Sequence, residues 1–347
     1  MTSVQTMTVA PEDAGQRLDR WLRRQFPHVR QGRIERMCRK GELRVDGGRV
    51  KAGTRLAQGQ QVRVPPLPDM ANTRTAVRQK IDEADSAMIR DAVIYRDDQV
   101  IAINKPPGLA VQGGSGQTRH VDGLSEALRF GLEEKPRLVH RLDKDTSGVL
   151  IMARTRAVAA ALTAAFRSRT TRKIYWAAVA GVPAPRTGTI RYGLVKAPGH
   201  GAKGEGEKMH CVHPDDVDRT QGARHATTDF TVLEAAASRC AWMALVPVTG
   251  RTHQLRAHMA EIGHPIIGDG KYGGSGQENP GDGWGAQLGG ELSRKLHLHA
   301  RSLTIRHPVT GAQLVLVAPL PAHMSRTWDV FQWQPADVPD DPFSEIF

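Results

Sequence analysis

HRLDKDTSGVLIMA, residues 140–153, sets a polar, turn-forming run directly against an apolar one. Residues 148–153 read as a buried strand, so the charged side chains just before it sit where the chain enters a sheet from a loop. Asp143 has Arg141 and Lys144 as close sequence neighbours, surroundings that suit a charged carboxylate acting as nucleophile or base. Thr146 and Ser147 add hydroxyls, and Gly148 adds a permissive backbone position, as a tight loop orienting an acid requires. A second reading is a salt-bridged turn in which Asp143 caps its own backbone, with Asp145 competing for that job. The segment alone leaves both open.

Outward from this stretch, strand-like runs recur at 92–95, 100–104, 174–180, 230–233, 242–248, 303–305 and 314–317, with helical patterns at 156–167 and about 251–262. They predict one mixed α/β or α+β domain of roughly 250 residues, a usual size for a catalytic unit. Two stretches read as loops: 183–225, polar and rich in Gly, His and Lys, and 273–290, with 8 Gly in 18 residues. No internal repeat is present.

In GRTHQLRAHMAEIGHPIIGDGKYG, residues 250–273, a helix over about 252–261 aligns Leu255, Met259 and Ile262 as an apolar stripe. Arg256 then lies on a different face and can project into a cleft. His253, His258 and His264 invite a metal reading, but no HExxH pattern or paired carboxylate supports it, and structural or RNA-facing histidines fit better. In RKIYW, residues 172–176, Tyr175 is either a core residue or a platform for a base, and composition favours the core.

The chain has 39% hydrophobic and 24% charged residues, an ordinary globular balance. No apolar run reaches the roughly 18 residues that a membrane span needs. The first twenty residues lack a secretory pattern, so the expected location is the cytoplasm. Cys38, Cys211 and Cys240 are too few and scattered for a disulfide framework, and His210, Cys211 and His213 lack the partners of a zinc site.

Charge is more telling. The net charge is +12, and residues 1–64 hold 14 Lys and Arg against 6 Asp and Glu. Such a concentration favours a polyanionic partner. Within it, residues 15–26 and about 31–40 form two amphipathic helical patterns, followed by short strands at 43–45 and 61–64. Pro65, Pro66 and Pro68 then open a polar linker, 65–88, ahead of a catalytic domain at 89–330 and a tail at 331–347.

Residues 1–64 resemble the S4 RNA-binding domain, in the AGQRLDRWL start and the GELRVDGGRV finish. The rest resembles a pseudouridine synthase of the RluA family. The matching stretches are INKPPGLAVQGGSG (103–116), LVHRLDKDTSGVLIMA (138–153), RKIYWAAVAG (172–181), VTGRTHQLRAHMAEIGHPIIGDGKYG (248–273) and LHLHARSLTIRHPVTG (296–311). The preserved QGGSG and the S4-like start are most similar to the RluC-like subgroup. Lys208-Met209, where many relatives carry Arg-Met, is a mild departure.

The resemblance implies the pseudouridine synthase fold, a mainly antiparallel mixed sheet with flanking helices, plus a small S4-like domain of helices and strands. It implies Asp143 as catalytic aspartate, Tyr175 as active-site tyrosine and Arg256 as the arginine paired with the aspartate. Arg17, Arg33, Arg36, Arg39 and Lys40 would dock on folded RNA, and His140, Arg141 and Lys144 would contact it near the reaction. The implied partner is 23S rRNA or a large-subunit assembly intermediate, with tRNA as the alternative, and the chain is expected to be a monomer. The implied reaction breaks the uridine N1–C1′ bond, turns the base and forms C5–C1′, with no metal or organic cofactor. Asp143 would act as a nucleophile on the ribose or as a base giving a glycal; the sequence does not separate these. A glycoside hydrolase would want a second carboxylic acid about 5 to 9.5 Å away, which no motif here identifies. A noncatalytic ribosome-assembly factor is the other rival, and the intact Asp143, Tyr175 and Arg256 speak against it.

Overall fold

Apolar spacing builds the first unit. The computed structural model describes residues 3–29, 31–67, 81–113, 119–168, 170–197, 208–273, 292–334, 338, 339 and 341–343, and the chain divides into two units, 1–80 and 81–347. In the first, β1 (Gln5–Thr8) precedes α1 (Leu18–Gln25) and α2 (Gln31–Lys40). These helices bury Leu18, Trp21, Leu22, Ile34 and Met37 against Val62 and Val64. β2 (Arg44–Val45), β3 (Gly48–Arg49) and β4 (Gln61–Val64) complete an antiparallel sheet in the order β1-β4-β2-β3. Asp46 and Gly47, both at positive φ, make the tight β2–β3 turn. β1, four residues without a strong apolar signal, has no counterpart in the sequence reading.

The second unit begins with α3 (Glu83–Asp91), inside the segment expected as linker, and buries Ile89. The next elements are β5 (Val93–Arg96), β6 (Val100–Lys105), α4 (Val121–Leu124), β7 (Arg137–Leu138), β8 (Ser147–Ala153), α5 (Arg156–Ser168) and β9 (Arg172–Ala180). Then follow β10 (Thr187–Lys196), β11 (Met209–Val212), β12 (Arg224–Ala236), β13 (Cys240–Pro247) and α6 (Gln254–Glu261). The unit closes with β14 (Leu298–Arg306), β15 (Gln313–Val317) and α7 (Ala322–Phe331).

The strands form one mixed sheet in the order β11-β10-β12-β13-β9-β14-β8-β6-β5, with β15 added to β14 and β7 to β8. Every described pair is antiparallel except β14 with β8. β8 is buried at all seven positions, which is why it reads as a continuous apolar run instead of an alternating one.

Register places the functional residues. β14 lies between β8 and β9, so Gly148, Ala300 and Tyr175 fall in one row across the sheet, and Ser147, His299 and Trp176 in the next. Tyr175 therefore sits beside the loop that ends at β8.

Two stretches differ from the sequence reading. Residues 183–225 are not one loop: β10 and β11 pair within them, and β10 buries Ile190 and Leu194 on one face while its intervening Arg191 stays exposed. Residues 198–207 of that stretch, and 274–290 of the other expected loop, lie outside the described residues. Beyond 331 the chain is no simple tail, because Phe343 is buried in the cluster around Trp176, Trp242 and Trp328. Those rings pack at centroid separations of 5.1 to 6.1 Å, mostly edge to face, each contact contributing about 1 kcal/mol beyond burial.

Candidate active site

Asp143 sits half-buried in a cavity of about 300 Å³, walled by the loop before β8, by Tyr175 and by the start of α6. Three devices hold that loop. Lys105, fully buried at the end of β6, donates to the carbonyls of Pro106, Leu109 and Lys144 at 2.8 to 2.9 Å. Burial pushes its ammonium down to about 7, while Asp145 and Asp143 pull the other way. Three carbonyls match the three N–H groups of the charged form, so they too favour it. Ser147 and His299 form the second device. Burial pushes His299 down to about 4 and leaves it neutral; Nε2 donates to the Ala318 carbonyl, so Nδ1 accepts the Ser147 hydroxyl at 2.8 Å. Gly148 is the third, at φ +111, against the backbone of Ala300.

Lys105→Met removes the donor from three carbonyls and supplies none. We expect a loss of about 3 kcal/mol or more, read from chemical denaturation, because unsatisfied buried groups carry their full desolvation cost. Turnover should fall with it, since the Lys144 carbonyl is one residue from Asp143.

The facing wall is α6. Gln254 ties its entry: Oε1 accepts from Thr249 Oγ1 at 2.6 Å and from the Arg251 N–H, and Nε2 donates to Thr227 O and Thr228 Oγ1. Arg256, one turn into the wall, is buried and pairs twice with Asp269, Nε to Oδ2 and Nη2 to Oδ1, each at 2.7 Å. Its remaining nitrogen, Nη1, stands 3.6 Å from Asp143 Oδ2. The arginine thus projects into the cleft as its helical position suggests, but most of its hydrogen bonding goes to Asp269. Asp269, itself buried, also accepts the N–H groups of Lys271 and Tyr272. The Tyr272 ring lies 5.2 Å from the Arg256 guanidinium.

Tyr175 packs at the junction of two hydrophobic clusters and faces the cavity. Burial, reinforced by the nearby Asp143 charge, pushes its phenol up, so it is a neutral hydroxyl at ordinary pH. The core reading of this residue holds in part, since its ring packs against both clusters, and it also lines the cavity.

The flanking cations do not do what their sequence neighbourhood suggests. Arg141 and Lys144 are exposed, and the cationic and imidazole groups that the structure places nearest the Asp143 carboxylate are Arg256 and His253. His140, expected as an RNA contact, lines the cavity and is braced in its wall. Its Nε2 accepts the Ile151 N–H at 3.0 Å and its ring stacks on Phe166 at 4.4 Å. Burial, with Lys173 adding, pushes it down to about 3. His258 is likewise internal, bonded to Thr228, and burial pushes it down to about 4.

In the first unit, Arg33, Arg36, Arg39 and Lys40 are exposed along α2. Arg17 is less available than its position suggests, because Nε and Nη2 both bond the Asp19 carboxylate. The sequence reading omits Arg20, Arg23 and Arg24 as contacts, yet with Arg17 and Gln31 they line a basic groove of about 520 Å³. Arg24 is also ion-paired to Asp13, which accepts the Trp21 indole N–H.

A half-buried carboxylate thus stands beside an arginine that a second, buried carboxylate fixes, with an aromatic ring in the same small cavity. Residues 99–261 match the RNA pseudouridylate synthase family and residues 16–62 the S4 domain. Over 328 residues, 94% of this chain and 96% of the other, the sequence is 36% identical to ribosomal large subunit pseudouridine synthase C of Vibrio cholerae. The chain belongs to the pseudouridine synthase family. The synthase is also 36% identical to the protein of the same name from Escherichia coli K12, over 93% of its own length and 95% of that chain. Among solved structures, it is similar to human RNA pseudouridylate synthase domain containing 4, with a TM-score of 0.58 and 30% identity, covering 71% of this chain and 95% of that one.

Proposed function

We propose that the synthase isomerises specific uridines of 23S rRNA, with Asp143 as the reacting carboxylate, Arg256 beside it and Tyr175 against the flipped base. The observation that carries the site reading is the meeting of these three side chains, from three distant segments, around one cavity of nucleoside size. The relatives that cover nearly the whole chain are named for the large ribosomal subunit, and that supports the choice of RNA. A large-subunit assembly intermediate fits the same surface as free rRNA.

The reaction asks the enzyme to take one uridine out of its stack, at a cost of about a few kcal/mol, and to keep the base while it turns. Asp143 either bonds C1′ as the base departs or takes the C2′ proton, leaving a glycal. Arg256 stabilises its charge from a fixed position 3.6 Å away, because Asp269 holds the guanidinium plane. Tyr175 supplies a flat neutral surface for the base; its phenol, held protonated by burial and by Asp143, does not itself take the last proton from C5. The synthase is proposed to act as a monomer, and no described helix is long and apolar enough to cross a membrane. The cytoplasm is the proposed location.

Pseudouridine mapping of total RNA by carbodiimide treatment and primer extension tests the substrate. Cells lacking the gene should lose a few defined 23S positions and regain them on complementation. Loss confined to tRNA would replace the rRNA reading. The division of labour between the units is tested separately. Changing the exposed Arg20, Arg23, Arg33 and Arg36 to Gln should weaken RNA binding and flatten its salt dependence by about one unit of log–log slope per lost phosphate contact. Turnover on saturating RNA should hold. An unchanged slope would remove the S4 unit from phosphate binding.

A further inference from the structure

His253 stands immediately ahead of α6 in the left-handed region, at φ 51 and ψ 21, with its side chain only 11% exposed. Its Nε2 lies 3.7 Å from Asp143 Oδ2, the same oxygen that lies 3.6 Å from Arg256 Nη1. Across the ring, Nδ1 lies 3.0 Å from the Tyr272 hydroxyl, and that hydroxyl oxygen accepts the Met209 backbone N–H at 2.8 Å.

Counting donors assigns the protons. The Tyr272 oxygen accepts from Met209, and His253 Nδ1 is the acceptor within reach of its proton; the opposite ring nitrogen, Nε2, faces a carboxylate, where a proton is favoured and a lone pair is not. Burial pushes Tyr272 up to about 12, which keeps that proton in place. Burial also holds His253 below the usual imidazole range; Asp143 opposes this, Arg256 and Lys271 reinforce it and Asp269 opposes it. The neutral ring then carries its one N–H on Nε2, the nitrogen that faces the aspartate.

We propose that His253 is a positioning residue for the reaction: Tyr272 locks it as the Nε2–H tautomer, and its N–H and the Arg256 guanidinium hold one Asp143 oxygen, leaving the other to face the ribose. The inference rests on Asp143 as the reacting carboxylate. In either route the free oxygen does the chemistry, bonding C1′ as the N1–C1′ electron pair leaves with the base, or taking the C2′ proton as that C–H bond breaks. The His253 proton stays on the ring throughout.

Substitutions at 253 separate this role from a backbone role, because the left-handed conformation and the donor favour different replacements. Asn is the residue after Gly that best tolerates left-handed backbone, but its amide is too short to reach the aspartate. Gln is less suited to the backbone, and its amide nitrogen falls near the position of Nε2. With an RNA transcript as substrate, His253→Ala and His253→Asn should lose about 100-fold in kcat, the scale of a small misplacement of a reacting group, with KM nearly unchanged. His253→Gln should recover about 10-fold of that loss. Tyr272→Phe, which frees the tautomer, should lower kcat to between wild type and His253→Ala. An Asn variant as active as the Gln variant, a loss confined to KM, or full activity in His253→Ala would overturn the proposal. Asp143→Asn in the same assay keeps the two readings apart. If it is inactive while His253→Ala is unimpaired, the positioning role alone falls; if Asp143→Asn stays active, the catalytic reading falls and takes the positioning role with it.

Discussion

Asp143→Asn is expected to lower pseudouridine formation by at least about 10⁴-fold, the scale on which removal of a reacting group acts, while RNA affinity stays within about twofold of wild type. The amide keeps the size and planarity of the carboxylate but neither attacks C1′ nor accepts a proton usefully. The fold should tolerate it. Asp143 is half-buried, and its recorded contacts are the two longer ones to Arg256 and His253, whereas Lys105, Ser147 and Gly148 hold its loop through other atoms. Arg256 loses a charge partner but keeps Asp269, so no buried guanidinium is stranded. The measurement is single-turnover product formation on a transcript, beside a binding isotherm. Asp145→Asn is the informative companion: Asp145 is exposed and acts only through its charge on Lys105, so turnover should fall by no more than about tenfold, far less than in the Asp143 variant. Residual activity above about 1% in the Asp143 variant would mean that the carboxylate is not the reacting group.

Gly148→Ala is expected to have the largest effect on folding. A Cβ there would lie 2.2 Å from the Ala300 carbonyl oxygen and 2.6 Å from its nitrogen, both backbone atoms in a central strand. The φ of +111 is itself closed to side-chain-bearing residues. Neither strand can withdraw easily, because β14 is held by β9 on its other edge and β8 by β6. The cost should exceed about 4 kcal/mol, beyond most single substitutions, and is read from the thermal midpoint or, more simply, from loss of soluble protein. A folded Gly148→Ala variant with a wild-type midpoint would show that β8 and β14 separate readily.

Much of this site is legible in the residues because its chemistry is local. Residues 140–148 carry the acid, the hydroxyls and the glycine in nine consecutive positions, and the strand that follows is apolar throughout. Arg256 is legible for a different reason: helical spacing separates it from the stripe of Leu255 and Met259. Asp269 is not, since it meets Arg256 only after the chain has left α6 and turned, and GDGKYG reads as any polar turn. Lys105 is hidden by its own context, because nothing in a lysine just past an apolar run shows that it turns inward to three carbonyls. His253 attracts notice in the sequence for metal binding, and only the positions of Tyr272 and Asp143 give it another use. Likewise β10 and β11 hide in a polar segment because the second face of β10 carries exposed Arg191 and the side-chain-less Gly193, which leave no apolar alternation to read, and α7 and Phe343 fill the far side of the tryptophan cluster without any motif.

The parallel β8–β14 junction also bears on when the protein becomes active during its synthesis. Ser147 and His299, which meet there, are separated by 152 positions in the chain. Contacts so distant in sequence form slowly, because a long loop must close before any stabilisation returns. The aspartate loop therefore lacks its central support until the ribosome has passed residue 299, and a nascent chain that already displays its RNA-binding segment still has no finished site with which to modify what it holds.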